Sequence, residues 1–531
     1  MDMKDIKQTP LWELYEKGRN FHRAMGIYSD TDRNFRFYNG DQWSGAKLGD
    51  VEPVQKNFIK PIVKYKQAVL HANLYAMVFS AQEDPQGLCK KLDAWASRAW
   101  EADGMDAKCR RITKRAAIND EGILYIDFDR EAGLPRSEIV KKCDIYYGNE
   151  NDDDLQSQPY ILLRRRMPVS EARLFAAGFG LSPQNQELLI GDNDTLELSG
   201  EAAHREVDNM VTLVYKLYKD AGTVKFDLAG RWVELIRGGD TGLSLYPFAH
   251  MLWEEKEGSA RGEGEVRHLI PNQIEVNRTE MRRVLTVKQQ AYPLKVVDVS
   301  KVSNPEAMNT VGGVIRTNGQ PVEDVRHVVG SIAPARMSPD VKSLQDDLIT
   351  VTRELAGAGD TATGQVDPAT ASGRAILAVQ QASQAPMTEQ RESFKAFLED
   401  VAKIWLEYLS LFPGEFAPGQ VRKLRARVKI DVTPKSEFDR FAQEQTIENL
   451  LVQGFFSPQR VGELEAYALS LDTDAVAPRE KILHIVANIR LQMEQIARIQ
   501  AEGKLLAQAY DEKLSSLENL KYTMEVTKDE S

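Results

Sequence analysis

The sequence predicts an α+β chain that is predominantly helical, and three observations carry that prediction. Up to about residue 255, short helical patterns alternate with runs of β-branched and aromatic residues at period two. Beyond it, long stretches place apolar residues three and four apart. Between two of these stretches lies 357–374, rich in Gly, Ala and Thr, with Val366 as its one large apolar residue. A loop of that length inside a compact chain is uncommon and is usually functional or disordered.

In the first half, 9–23 reads as a helix, with Pro10 in its first turn and Leu11, Leu14, Tyr15 and Gly18 at helical spacing. Residues 30–43 pack Phe35, Phe37, Tyr38 and Trp43 beside a turn at Asn39-Gly40. Residues 57–63 lead into a helix ending near 76, and further helices cover 88–102 and 107–122. Strands fall at 123–129, 139–147 and 160–166, with an acidic loop at 149–157 and a helix at 170–177. The polar, weakly patterned stretch 182–204 reads as a mobile insertion. Strands 210–218 and 223–228 form a hairpin across Asp220-Ala221-Gly222, and 231–237 adds a third strand.

In the second half, 263–292 is a helix with the stripe Ile270, Ile274, Met281, Val284 and Leu285; Pro271 starts or kinks it and Pro293 ends it. Strands follow at 294–299 and 313–316. A second helix at 339–357 carries Val341, Leu344, Leu348, Val351 and Leu355. After the flexible loop comes one long helix, 371–412, bent near Pro386, with the stripe Phe394, Phe397, Leu398, Val401, Ile404, Trp405, Tyr408 and Leu409. A strand at 421–432 precedes helices at 437–453, 457–468 and from 479 on. The last stripe (Ile482, Ile485, Ile489, Met493, Ile496) fades after 508 into a charged tail that is a candidate for disorder.

Length and composition bound the function. A chain of 531 residues holds about three to five structural units. At 42% apolar and 28% charged it can bury a large core. A net charge of −11 argues against sequence-reading of nucleic acid, which needs a basic face, but not against DNA sliding past a near-neutral wall. Cys89, Cys109 and Cys143 form no CxxC pair and read as buried thiols of a reducing compartment. The first ten residues lack the apolar core of a secretory signal. The most apolar window, 62–81, is broken by Lys64, Lys66 and His71, so it is not a membrane span.

The search for catalytic chemistry is mostly negative. The stretch from Gly40 to Lys47 is the nearest approach to a phosphate loop; its Lys is one place late, no hydroxyl follows, and Trp43 fills the cradle, so it reads as a turn. Gly262-Glu263-Gly264-Glu265 lacks the third glycine of a dinucleotide fingerprint. The seven histidines are scattered. Asp127 with Asp129, and Asp152-Asp153-Asp154, are the carboxylate groups that could take a divalent metal, the first as a strand edge and the second as an exposed loop. No nucleophile elbow or HExxH is present. No catalytic residue, metal or cofactor is assigned. Two basic runs remain, Arg164-Arg165-Arg166 and 421–429, and ion pairs to an acidic neighbouring subunit suit them better than a nucleic-acid patch.

The order of elements is more specific than any single motif. Local sequences that carry a resemblance are Asn34-Phe35-Arg36-Phe37-Tyr38-Asn39-Gly40-Asp41-Gln42-Trp43, Asn57-Phe58-Ile59-Lys60-Pro61-Ile62-Val63, Tyr246-Pro247-Phe248, the run Gly264-Glu265-Val266-Arg267-His268-Leu269-Ile270-Pro271-Asn272-Gln273 with Asn277, and Ala371-Ser372-Gly373-Arg374-Ala375-Ile376. Together they cover most of 30–410, and in this order they resemble the portal protein of tailed bacteriophages. The part beyond that departs most from the family.

The resemblance implies a portal-type fold with wing, stem, clip and crown, including one very long wing helix. It implies a wing at 1–255, a first stem helix at 256–292, a clip at 293–335 and a second stem helix at 336–356. A tunnel loop at 357–372 follows, then the long wing helix and returning strand at 371–434, and the crown and C-terminal tail at 435–531. The implied function is a ring, usually of twelve copies, at one capsid vertex, through which DNA is packaged and ejected. Its implied place is the virion, and the host cytoplasm during assembly. The implied partners are non-specific double-stranded DNA, the terminase large subunit, the head-tail adaptor, and the major capsid and scaffolding proteins, with no membrane. On this reading Asp360, Thr361, Thr363, Gln365 and Asp367 of the loop face the channel, and Lys342 and Arg353 of the stem offer phosphates weak contacts. Asn304, Glu306, Asn318, Gln320 and Glu323 would lie on the clip that docks terminase and adaptor. The alternatives are a non-portal scaffold or adaptor protein, and a metal-dependent DNA-processing enzyme using Asp127 and Asp129.

Overall fold

The computed structural model describes residues 7–47, 52–71, 74–80, 87–192, 194, 209–292, 294–310, 312–319, 324, 326, 328–334, 336–359, 385–416, 421, 429–435 and 479–529. The chain divides into two compact units, Met1–Thr433 and Pro434–Ser531. Of the described residues 53% are helix and 19% strand, the content of a predominantly helical α+β protein.

Helix α1 (Pro10–Ala24) starts as expected, with Pro10 in the first position and the Thr9 hydroxyl accepting from the Trp12 N–H at 3.3 Å. Helix α2 (Ile27–Asn39) lies where the sequence reading saw only an aromatic cluster. Its Asp, Thr and Asn residues are poor helix formers, and burial of Ile27, Tyr28, Thr31, Asn34, Phe37 and Tyr38 outweighs that propensity. Gly40 (φ 99°) closes α2 in the left-handed conformation, at the expected turn. Helix α3 (Ile59–Leu70) stops short of residue 76, and Leu74–Ser80 is strand β1 instead. Tyr75, Val78 and Phe79 favour a strand and override the helical continuation.

Helices α4 (Leu88–Ala102) and α5 (Met105–Asn119) follow. Strands β2 (Glu121–Asp129) and β3 (Leu134–Val140) form a hairpin. The expected strand at 139–147 is cut by a 3₁₀ turn at Lys142–Asp144, leaving β4 (Ile145–Tyr147) separate. Next come β5 (Ile161–Pro168), α6 (Val169–Gly178), the short α7 (Pro183–Gln186), β6 (Met210–Asp220), β7 (Thr223–Ala229), β8 (Glu234–Asp240) and β9 (Phe248–Leu252). Helix α8 (Glu265–Ala291) runs through Pro271. Strands β10 (Leu294–Val297) and β11 (Val329–Ile332), helices α9 (Asp340–Leu355) and α10 (Thr388–Leu411), and strand β12 (Lys429–Lys435) complete the first unit's described elements.

Two antiparallel sheets organise this unit. One has the order β4-β5-β6-β7-β8 and the other β3-β2-β9. Period-two burial gives the five-stranded sheet two covered faces. Val211 and Leu213 pack with Val169, Ala172 and Ala176 of α6, whereas Val214 and Leu162 pack with Leu11, Trp12 and Tyr15 of α1. Helix α10 lies on the three-stranded sheet, and every residue of its expected stripe is buried. Tyr408 donates to the Ile126 carbonyl at 3.0 Å and stacks on Phe128. Pro386 sits in a 3₁₀ turn just ahead of α10; the expected helix over 371–384 falls outside the described residues.

The stretch read as a mobile insertion is docked where it is described. Leu189 is buried and Asp194 is 5% exposed, accepting from the Tyr15 hydroxyl at 2.6 Å and the Arg164 Nε at 2.9 Å. This also corrects the reading of the Arg164-Arg165-Arg166 run. Arg164 pairs with Asp144 and Asp194, Arg165 with Glu138 and Arg166 with Asp192, all acids of the same chain. The polar segment supplies two of these carboxylates, Asp192 and Asp194, a pairing invisible to local patterning. The run 421–429 lies almost wholly outside the described residues. All three cysteines are buried free thiols, as expected, and burial pushes Cys109 up to about 12 and Cys143 to about 11.

The second unit is described through helix α11 (Arg479–Asp529) alone. It has 51 residues, which at 1.5 Å each span about 75 Å. The tail after 508 is therefore helix to Asp529 and not a disordered extension. Its Glu, Lys, Leu and Ala content has high helix propensity even where the apolar stripe fades.

A buried ionic cluster ties the N-terminal helix to the segment ahead of α8. Arg261, 7% exposed, donates to Glu121, to Glu150 at 2.8 and 3.0 Å, to the Ile145 carbonyl at 3.1 Å and to His22 Nε2 at 3.0 Å. His250 completes it at 2.7 Å from Glu121. Burial alone would raise the Glu121 carboxyl, but Arg261 and His250 outweigh burial and hold it well below the usual carboxylate range. Burial, with the Arg261 charge added, pushes His22 down to about 4.

Because the folded state refuses a proton that an unfolded His accepts below about 6.5, this contribution is complete above that pH and lost as pH falls toward 4. The shift corresponds to about 3 kcal/mol at most. Thermal unfolding between pH 7 and pH 5 should show a falling midpoint, and His22→Gln should flatten that slope. His71, also pushed down to about 4 by burial and Arg110, leaves a residual slope. An identical slope in the variant would refute the assignment to His22.

Candidate functional site

The candidate site is the helical pair α8 and α9 with the strand-paired tip between them. Backbone contact that only glycine permits fixes where α8 leaves the body. A Cβ on Gly264 would stand 2.8 Å from the Asp120 amide nitrogen, and one on Gly262 would stand 2.5 Å from the Glu254 carbonyl oxygen. The Gly-Glu-Gly-Glu run is thus a close-packing device and not a phosphate cradle. Asp120 accepts from the Gly264 N–H at 2.8 Å and pairs with Lys142. Glu265, first in α8, is buried against Lys66 at 2.5 Å and accepts from the Trp253 indole at 3.2 Å.

Two turns further along α8, amide side chains replace carboxylates. Gln273 accepts from the Phe58 N–H at 3.0 Å and donates to the Lys56 carbonyl at 2.7 Å. Asn277 accepts from the Lys56 N–H at 3.2 Å and donates to Gln42, whose own amide donates to the Phe37 carbonyl at 2.8 Å. Both are 2% exposed or less. The stretch from Gly40 to Lys47 is the other end of this ladder: Gln42 feeds it, and Trp43 donates to the Val54 carbonyl at 3.0 Å.

The seam between α8 and α9 is polar, which reverses the expectation for α9. Gln345, fully buried, bonds Glu280 at 2.7 Å and also accepts from Arg283, while Asn272 donates to Thr352 at 2.9 Å. Burial opposes the charged form of Glu280, yet Gln345, Lys56 and Arg283 outweigh it and hold the carboxyl below its usual range. Of the expected apolar stripe, Leu344, Val351 and Leu355 are 56, 49 and 81% exposed. The outer half of α8 behaves alike: Leu285 and Val287 are exposed, as is Tyr292 just past its end. Helix α9 has the expected spacing, but of its stripe only Val341 and Leu348 are half-buried in a single chain.

At the tip, β10 pairs with β11, Leu294 opposite Ile332, and the strand expected at 313–316 is not formed. The segment 313–316 runs instead along 302–304, with Ser303 donating to the Arg316 carbonyl at 2.9 Å. Both tip strands are exposed on both faces. Asn304 pins the tip by donating to the Val314 carbonyl at 2.8 Å and accepting from the Arg316 N–H at 2.7 Å; Asn318 donates to the Ser300 carbonyl at 3.1 Å. Glu306 is exposed, whereas Gln320 and Glu323 lie outside the described residues. So do Asp360, Thr361, Thr363, Gln365 and Asp367. On α9, Lys342 is exposed near the tip end and Arg353 is half-buried at the body end.

The carboxylates considered for a metal serve the backbone. Asp129 accepts from the Glu131 and Ala132 N–H groups at 2.9 and 3.1 Å in the β2–β3 turn, and Asp127 accepts from the Phe128 N–H at 2.8 Å. Asp152 accepts from Asp154 N–H and Ser157 hydroxyl, and Asp154 caps Gln156. Among the described residues no three His, Cys, Asp or Glu side chains converge as metal ligands, and no helix is long and apolar enough to cross a membrane.

Residues 232–413, from β8 through the helical pair and its tip to the end of α10, match the family model of phage P22-like portal proteins. No curated protein matches the chain. The match covers 232–413 alone, lies almost wholly inside the stretch 30–410 that carries the resemblance, and supports that resemblance to tailed-phage portal proteins.

The amide ladder makes a prediction of its own. Asn277→Leu leaves the Lys56 N–H and the buried Gln42 side-chain oxygen without their Asn277 partner, a loss of about 1–3 kcal/mol. Hydrogen exchange over 41–58 and the first half of α8 should quicken about tenfold to a hundredfold. Unchanged protection there would show that the ladder does not anchor the helix.

Proposed function

We propose that this chain is the repeating subunit of a closed ring, usually of twelve copies, at one vertex of a tailed-phage capsid. It acts as a conduit for double-stranded DNA and a docking platform, and not as an enzyme. The supporting observation is that the family match falls on a helical pair that leaves Leu285, Val287, Leu344, Val351 and Leu355 exposed in one chain. Monomers rarely leave so much apolar surface uncovered along one element. A head-to-tail contact between unlike faces of identical copies closes into a ring when the rotation permits.

On this reading 1–255 forms the wing, 256–292 and 336–356 the stem, 293–335 the clip, 371–434 the long wing helix with its returning strand, and 435–531 the crown and tail. The loop 357–372, with Asp360, Thr361, Thr363, Gln365 and Asp367, faces the channel. Its carboxylates repel phosphates and its small side chains do not grip bases. Lys342 and Arg353 give weak, salt-dependent phosphate contacts. The tip docks the terminase large subunit and the head-tail adaptor. Glu306 offers an exposed charge, Asn304 and Asn318 shape the loops that present it, and Gln320 and Glu323 join them as docking residues on this reading. The major capsid and scaffolding proteins surround the ring in the virion and during assembly in the host cytoplasm.

Sedimentation of the purified chain should give a mass near twelve times 59.8 kDa. Leu344→Asp with Val351→Asp should release monomers, since each buries a charge against a neighbour. A wild-type monomer at every salt concentration, or a variant that assembles normally, would contradict the ring. Deleting 360–367 should leave rings intact and abolish DNA packaging; unimpaired packaging would remove the loop from the mechanism.

A further inference from the structure

A cavity of about 640 Å³ opens between α3, α4, α5 and α10, away from the helical pair. Its volume falls within the range of small-ligand sites. One wall is cationic: Arg110 and Arg111, with Lys114 one turn on, are exposed on α5; none has an ion-pair partner among the described residues, and Lys114 lies 5.1 Å over the Tyr38 ring. In a chain of net charge −11 such a concentration is against the average. The opposite wall is aromatic. Trp100, half-buried, is held by its indole N–H donating to Asp106 at 3.0 Å, and Phe394 forms the floor with its ring edge-on to His71, centroids 5.5 Å apart. His71 is itself fixed by Thr113 at 2.8 Å. The aromatic surface is therefore set before any ligand arrives.

We infer that this cavity is a binding site for a nucleotide unit, with the phosphate on Arg110, Arg111 and Lys114 and the base against Trp100, over a floor closed by the buried Phe394. Guanidinium groups match phosphate oxygens in bidentate geometry. An aromatic face accepts any base by stacking, without reading its edge. Asp106, one carboxylate against three cations, leaves the wall net positive and serves to orient Trp100. The same chemistry is offered by a free nucleotide and by a nucleotide within a DNA strand, and the test separates the two. The inference goes beyond the ring reading and does not depend on it.

Calorimetric titration of the full-length protein at low salt would use three probes: deoxyadenosine monophosphate, inorganic phosphate and a short single-stranded oligodeoxynucleotide. The mononucleotide should bind, and Arg110→Ala with Arg111→Ala should weaken it about tenfold or more for each charge removed. Both arginines are exposed, so the fold should survive, which circular dichroism would check. Trp100→Leu should weaken the mononucleotide and leave inorganic phosphate unchanged. If the oligonucleotide alone binds with the same sensitivity to both variants, the site takes a DNA strand. If inorganic phosphate binds as tightly as the mononucleotide and Trp100→Leu has no effect, the aromatic half of the site is refuted. If no probe binds, or binding ignores the arginine variant, the inference fails.

Discussion

A buried guanidinium has to be neutralised and fully hydrogen-bonded, and Arg261 imposes that requirement on the whole first unit. Its partners come from α1 (His22), β2 (Glu121), the β4 end (Ile145) and the acidic loop (Glu150). These elements are far apart in the chain and are brought to one point three residues before the close-packed Gly264. The guanidinium therefore sets the place and direction from which α8 departs. Asp120, Glu265 and the Gln273–Asn277 ladder then hold that direction with progressively less charge. Any role the helical pair has depends on this root being rigid.

The sequence disclosed the periodic elements well. The α10 stripe, the α8 helix, the β6–β7 hairpin and the Thr9-Pro10 helix start all rest on local spacing or local capping, and local rules suffice for them. What it hid was long-range pairing. Nothing near Asp194 announces that it will bind Arg164, Tyr15 and Arg19, so a docked segment read as mobile. Nothing near Val314 announces that β10 will choose 329–332 as its partner. Helix α2 was hidden for a different reason: its buried positions include Thr31 and Asn34, which an apolar-stripe search passes over.

The site was legible in part. The Gly264-to-Asn277 motif pointed to the correct helix, and the structure supplies its physical reason in close backbone contact and buried amides. Gln345 and Thr352 had no sequence signal, because polar residues on a helix ordinarily face water. Their burial turns Leu344, Val351 and Leu355 outward, the reverse of what the apolar stripe predicts. The carboxylates that favoured an enzyme are engaged in turns and caps. The cationic cavity on α5 was not visible as a motif, because its arginines meet Trp100 and Phe394 only through the packing of four helices.

The central claim is that identical copies cover one another's exposed hairpin faces around an open axis. Electron microscopy of the purified chain in moderate salt, with subunits counted in end-on views, tests it most directly. The account predicts closed rings with a central hole wide enough for duplex DNA, and the α8–α9 apolar stripe at the contact between neighbours. Monomers or closed two-fold dimers without a through-channel, in every salt tried, would contradict it.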